Sequence, residues 1–233
     1  MKRLTITLQH RSMHYLFFGG DRLPSHIKLL SNEATANFEA LGSSRFFLTP
    51  DKRMLAKIST DKWSKHEKPV KWLLQDYIED RLFLQTNARM EYRYLNLLRQ
   101  TGLLTPQLFG WGISFHPAST WASLLLIEYM PNTQPGRAYF EALGEADKYQ
   151  FLQNLAEQLA KLVKLGYVPR DLHYNNLLIN QSGETVWIDT HLRALRKKQK
   201  DCKSTLSSYL SSRKLLGQEY KDTLIDMTCN FLR

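Results

Sequence analysis

One short polar stretch constrains this chain more than any other feature. Arg170-Asp171-Leu172-His173-Tyr174-Asn175-Asn176 is followed, thirteen residues after Asn176, by the Asp that closes Val186-Trp187-Ile188-Asp189. Between them, Leu177-Leu178-Ile179-Asn180, Gln181-Ser182-Gly183-Glu184 and Thr185-Val186-Trp187-Ile188 read as strand, turn and strand, a hairpin that draws Asn176 and Asp189 together. Taken singly, Asp171 is a turn cap, the asparagines are loop residues and Asp189 ends a strand. Together they offer a carboxylate able to accept a hydroxyl proton, and an amide and a second carboxylate suited to Mg²⁺, which takes few protein ligands besides phosphate and water. That set implies phosphoryl transfer from a nucleotide, where a protein chiefly positions reactants and neutralises charge.

The same residues resemble the protein-kinase-like fold, whose catalytic loop reads H-R-D-x-x-x-x-N and whose metal loop reads D-F-G. Here Pro169 stands in the place of the His, and Thr190-His191 replace Phe-Gly. The resemblance implies an α+β, two-lobed fold, with a small strand-rich N-lobe carrying one long helix, and a helical C-lobe. It assigns Asp171 as the base and Asn176 and Asp189 as Mg²⁺ ligands, with ATP as the phosphoryl donor. Upstream, Arg45-Phe46-Phe47-Leu48 and Met54-Leu55-Ala56-Lys57-Ile58 flank a turn. Lys57 resembles the strand lysine that contacts the nucleotide phosphates and pairs with a helix Glu, although a solvent-facing strand lysine has the same local pattern. Glu91, four residues before Leu95 on the helical run Asn87 to Leu98, points inward, whereas Glu79 on the stretch Lys71 to Leu84 reads as a surface charge. Leu41-Gly42-Ser43-Ser44 is the candidate phosphate-covering loop or a plain strand turn. Leu124 to Met130 reads as the strand leading to the hinge, where backbone groups of Glu128 and Met130 would meet the adenine.

Further residues narrow the likeness. Ala88-Arg89-Met90-Glu91-Tyr92, Gly110-Trp111-Gly112 through His116-Pro117-Ala118, and Ile188-Asp189-Thr190-His191-Leu192-Arg193-Ala194 resemble the lipopolysaccharide core kinases, the heptose and Kdo kinases, over roughly residues 40–200. That resemblance implies phosphorylation of an inner-core sugar hydroxyl at the cytoplasmic face of a bacterial inner membrane. The Asp-Leu-His-x-x-Asn loop also resembles small-molecule kinases of the aminoglycoside and choline type. A catalytically silent kinase-like binding protein is a third reading, against which the retention of Lys57, Asp171, Asn176 and Asp189 argues.

Charge separates the first two. With 32 Lys and Arg against 22 Asp and Glu the chain carries a net charge of +10, which suits an anionic glycolipid acceptor better than a cationic one. Arg193, Arg196, Lys197, Lys198, Lys200 and Lys203 form a basic run after Asp189 that would grip the anionic acceptor or an anionic membrane surface. A solvated helix face or a nucleic-acid patch has the same composition, and no nucleic-acid partner is expected. Cys202 and Cys229 show no metal spacing and no disulfide framework, so two reduced cytosolic thiols are expected. The first ten residues alternate like a strand and lack a signal-peptide core, and no run approaches the ~18 apolar residues of a membrane span.

At 233 residues with 43% hydrophobic content, the chain suits one two-lobed kinase-like domain, divided into residues 1–127 and 128–233. Residues 60–86 lengthen the interval from Lys57 to Glu91 to 34 positions. They read as a helical packing element or as an insertion that docks a large acceptor, with Trp63, Trp72 and Phe83 apolar enough to be core. Phe151, Leu152, Leu155, Leu159 and Leu162 recur at helical spacing, and Gly166 caps that helix before the catalytic loop. Beyond Lys203, Leu206 to Met227 suggest two closing helices.

Overall fold

The alternating amino end forms a strand of the principal sheet one place in from its edge. In the computed structural model, which describes residues 1–9, 11–20, 23–31, 44–195 and 202–233, Leu4, Ile6 and Leu8 are buried on one face of β1 (Lys2–Leu8). The chain divides into two compact units, residues 1–93 with 106–130 and residues 94–105 with 131–233.

In the first unit β1 is joined by β2 (Arg11–Gly19), β3 (His26–Leu29), β4 (Ser44–Leu48) and β5 (Met54–Thr60). A helix α1 (Asn87–Gln100) follows, then β6 (Leu108–Ile113) and β7 (Trp121–Glu128). Among the described residues the sheet runs β3-β1-β2-β6-β7-β5-β4, antiparallel except where β1 meets β3. β7 lies inside this sheet, and its apolar run Leu124 to Ile127 is buried without alternation, as a strand covered on both faces must be. Leu124 and Leu126 join the core that β1 and β2 contribute to, while Leu125 and Ile127 pack with Leu55 and with Ala88 of α1. The expected hairpin of β4 and β5 is present, with Phe46 opposite Lys57.

Residues 61–83 are anchored by a buried polar network. One α-turn, Pro69–Lys71, runs into a π-helix, Trp72–Leu82. Arg81, fully buried, donates to both oxygens of Asp61 at 2.6 and 2.8 Å and to the carbonyls of His116 and Ser119. Buried Asp76 accepts from the N–H groups of Lys62 and Trp63, and Trp72 donates to Asp61. This corrects the expectation that Trp63, Trp72 and Phe83 are all core. Trp72 is buried and Trp63 half-buried, whereas Phe83 is 64% exposed because charged side chains occupy the inward face.

The second unit is mostly helical. A two-residue strand β8 (Gln134–Pro135) leads into α2 (Gly136–Ala142) and α3 (Glu145–Lys164). Phe151, Leu152, Leu155, Leu159 and Leu162 of α3 are buried, and Gly166 ends the helix at φ +80°, its N–H on the carbonyl of Val163. β9 (Tyr167–Pro169), β10 (Leu177–Ile179), β11 (Thr185–Trp187) and β12 (Leu192–Ala194) follow, then α4 (Cys202–Tyr209) and α5 (Gln218–Asn230), the two closing helices. Cys202 and Cys229 are bonded as a disulfide with a Cα–Cα distance of 5.9 Å, which overturns the expectation of two free thiols. Packing of α4 on α5 brings together cysteines that sequence spacing does not relate. Among the described residues, no helix is long and apolar enough to cross a membrane.

Candidate active site

In the first unit, β5 and α1 bring Lys57 and Glu91 together. On β5, Ala56 and Ile58 face one core and Leu55 the other, so Lys57 shares the side that α1 covers. Ala88, Glu91, Leu95 and Leu98 form the buried stripe of α1 at three- and four-residue spacing. Lys57 Nζ lies 2.7 Å from Glu91 Oε2, and the side chains are only 10% and 5% exposed. A buried pair of this kind holds its ammonium in one place and withholds it from bulk water. Glu128 closes β7. Its N–H donates to the carbonyl of Gln107 at 2.8 Å and its carboxylate accepts from the Gln107 N–H, so at Glu128 the carbonyl is the backbone group able to take a ligand. Tyr129 donates to the carbonyl of Arg53, which ties the segment running to Met130 to the start of β5.

In the second unit two antiparallel ladders pin the catalytic-type loop and the metal-type loop to each other at both ends. On one side β9 pairs with β12, continued by the Arg170 N–H on the carbonyl of His191 at 2.7 Å. On the other, β10 pairs with β11, continued by the Ile188 N–H on the carbonyl of Asn176 at 2.9 Å. Asp171, Asn176 and Asp189 therefore belong to one small, doubly braced structure. Asn176 is buried and donates Nδ2 to the carbonyl of Asp171 at 3.1 Å, which commits the amide nitrogen and leaves the amide oxygen as the acceptor atom. Asp189 sits at φ +44°, the left-handed region that non-glycine residues rarely enter, a conformation often associated with function.

The loop is held from beneath by aromatic packing. Tyr174 is buried and stacks on Phe140 of α2 at 4.4 Å, with Phe151 edge-on at 5.7 Å. Burial pushes its phenol well above the ordinary value. Gly136 lets α2 approach: a Cβ there would lie 2.8 Å from the carbonyl oxygen of Tyr174 and 3.0 Å from Leu177. His191 meets the Tyr94 ring at 5.9 Å, centroid to centroid.

Lys214 is a neighbour of Asp171 that the sequence did not reveal. It comes from the segment between α4 and α5 and pairs its ammonium with the Asp171 carboxylate. His173 feels the same charges. Burial pulls its imidazole below the usual value, Asp171 opposes this, Lys214 adds to it and Asp189 opposes it weakly, so all three charged groups surround one ring. Lys214 lies 43 residues from Asp171, and no local pattern signals the pairing. Leu41, Gly42 and Ser43 of the candidate phosphate-covering loop lie outside the described residues, as do Arg196, Lys197, Lys198 and Lys200 of the basic run. Of the rest of that run, Arg193 lies over the Tyr209 ring and Lys203 pairs with Asp226 at 2.7 Å.

A loop pair carrying Asp171, Asn176 and Asp189 and a buried lysine–glutamate pair, in a strand-rich and a helical unit of one mixed α+β chain, accompany a match to a kinase family. The chain belongs to the lipopolysaccharide kinase (Kdo/WaaP) family, whose model matches residues 52–223. Among solved structures it is similar to WaaP in complex with acyl carrier protein, with 15% identity over 85% of this chain and 83% of that one and a TM-score of 0.53. It is also similar to the bifunctional kinase-methyltransferase WbdD, with 14% identity over 81% of this chain and 43% of that one and a TM-score of 0.50. At these identities the likeness is one of fold. No curated protein sequence matches the chain.

Proposed function

We propose that this chain is a two-lobed kinase that transfers the γ-phosphate of ATP to a sugar hydroxyl, heptose or Kdo, of the lipopolysaccharide inner core. The observation that carries this reading is the double ladder that holds Asp171, Asn176 and Asp189 in one braced loop pair. Asp171 takes the proton of the acceptor hydroxyl as its oxygen bonds to the γ-phosphorus and the bond to the β–γ bridging oxygen breaks, releasing ADP. Lys214 orients the Asp171 carboxylate and adds positive charge near the transferred group. Lys57, fixed by Glu91, holds the donor phosphates, while the Glu128 carbonyl and the backbone at Met130 hold the adenine.

Asn176 and Asp189 fit Mg²⁺ by donor chemistry, since each presents a hard oxygen and the Asn176 amide is already oriented through its nitrogen. Among the described residues no group of three or more His, Cys, Asp or Glu could hold a metal unaided, so phosphate oxygens of the nucleotide would have to complete the coordination. Bound there, the ion neutralises phosphate charge. The net charge of +10 supports an anionic acceptor, and the activity is assigned to the cytoplasmic face of the inner membrane.

Asp171→Asn tests the assignment. Turnover with core oligosaccharide falls by about 10²- to 10⁴-fold, while the thermal shift on adding Mg²⁺ and ATP persists. Full turnover in this variant rejects Asp171 as the base. A wild-type chain with no nucleotide-dependent shift would instead be a silent kinase-like binding protein.

A further inference from the structure

The segment 61–83 is built inside out. Its charged residues Asp76 and Arg81 point inward to the network with Asp61, and its leucines point outward. Leu74 is 56% exposed and Val70 66%, and with Leu73, Leu82 and Phe83 they make an exposed apolar series. In a π-helix, where each turn closes five residues on, positions four to five apart stack, so Leu73 and Leu74, Ile78, and Leu82 and Phe83 share one side, with the exposed Glu79 among them. Scattered single apolar residues on a surface need no explanation, but a contiguous stripe of this kind does.

The charge next to the stripe identifies what covers it. Lys65, Lys68 and Lys71 lie at and just before the amino end of the helix, all exposed. None of the three has a carboxylate partner among the described residues. Their ammonium groups rest instead on indole faces, Lys68 and Lys71 over Trp63 at 4.7 and 4.6 Å and Lys65 over Trp72 at 5.0 Å. Exposed leucines and a phenylalanine beside lysines and a half-buried tryptophan are the composition of a helix that lies in a bilayer interface. An apolar stripe alone would suit a second protein equally, and lysines alone would suit any polyanion.

We propose that residues 62–83 form a docking surface for an anionic phospholipid bilayer, with the leucine stripe entering the acyl boundary and the lysines meeting the headgroups. The basic run after Asp189 then has no primary part in membrane attachment, and its described member Lys203 is already paired with Asp226. Because the charged residues Asp76 and Arg81 tie the segment down from within, the apolar stripe is presented without help from a conformational change. The proposal does not depend on the kinase reading.

Flotation of the full chain with vesicles tests it without nucleotide or acceptor, so its failure is separate from failure of the kinase assignment. The wild-type chain floats with vesicles of phosphatidylglycerol and phosphatidylethanolamine and not with phosphatidylcholine alone. Leu74→Glu with Phe83→Glu, and separately Lys68→Glu with Lys71→Glu, each lower the apparent affinity at least about tenfold. Lys197→Glu with Lys198→Glu changes it less than about fivefold, on the order of a single surface charge. All four face positions are exposed, so the unfolding midpoints stay at the wild-type value. If the glutamates at 74 and 83 lower the midpoint, Leu74→Ser with Phe83→Ser serves in their place. Undiminished flotation in either face variant, or loss only on reversing Lys197 and Lys198, overturns the proposal. A wild-type chain that ignores both kinds of vesicle also overturns it, and points to an acidic protein partner.

Discussion

Lys57 and Glu91 show how far a single residue can be read in advance. An apolar strand and an amphipathic helix each put one charged residue on a buried face, and two such residues of opposite sign have strong reason to meet. Glu91→Ala leaves the Lys57 ammonium buried without that carboxylate. It should cost about 3–5 kcal/mol in urea unfolding, together with weaker ATP binding. A loss under about 1 kcal/mol, typical of an exposed pair, would mean that Lys57 reaches water. Lys214 shows the opposite case. It sits in a Ser- and Leu-rich connection with nothing around it to mark it, and only the path of the chain between α4 and α5 carries it to Asp171. Phe83 is exposed for a related reason: hydrophobicity predicts burial only when the neighbouring charges face outward, and here Asp76 and Arg81 face inward.

At the scale of elements, the β10–β11 hairpin was legible because its apolar strands flank a Ser-Gly turn, and Gly183 takes φ +77° there. The helix before the Asp171 loop was legible from its leucine spacing and its terminal glycine. The π-helical form of Trp72–Leu82 was not, since it follows from the inward anchoring of Asp76 and Arg81 and not from any periodicity. The role of α2 also stayed hidden. Its first residue, Gly136, allows the helix to press against the loop that bears Asp171 and Asn176. Gly136→Ala places a methyl group against the Tyr174 carbonyl and should cost about 1–3 kcal/mol of stability. Because the displaced carbonyl belongs to that loop, kcat should fall more than ATP affinity. Wild-type turnover in a variant with unchanged unfolding would show that α2 does not buttress the loop.

For the molecule as a whole, the Cys202–Cys229 bridge links the two closing helices across a separation of 27 residues. In the oxidised chain, Cys202→Ser with Cys229→Ser should lower stability by about 2–4 kcal/mol, seen as a lower denaturant midpoint that reductant reproduces in the wild type. A midpoint insensitive to reductant would show that the bridge does not contribute. The sequence by itself determined the loops that bear Asp171 and Asp189, the hairpin between them and the helices that frame them, because turn geometry, strand alternation and helical spacing are short-range and written in neighbouring residues. Tertiary structure decided which distant groups meet: Lys214 with Asp171, Cys202 with Cys229, Arg81 with Asp61, and hence a row of leucines turned toward solvent. Those contacts depend on how whole elements pack, a property that no local window of residues contains.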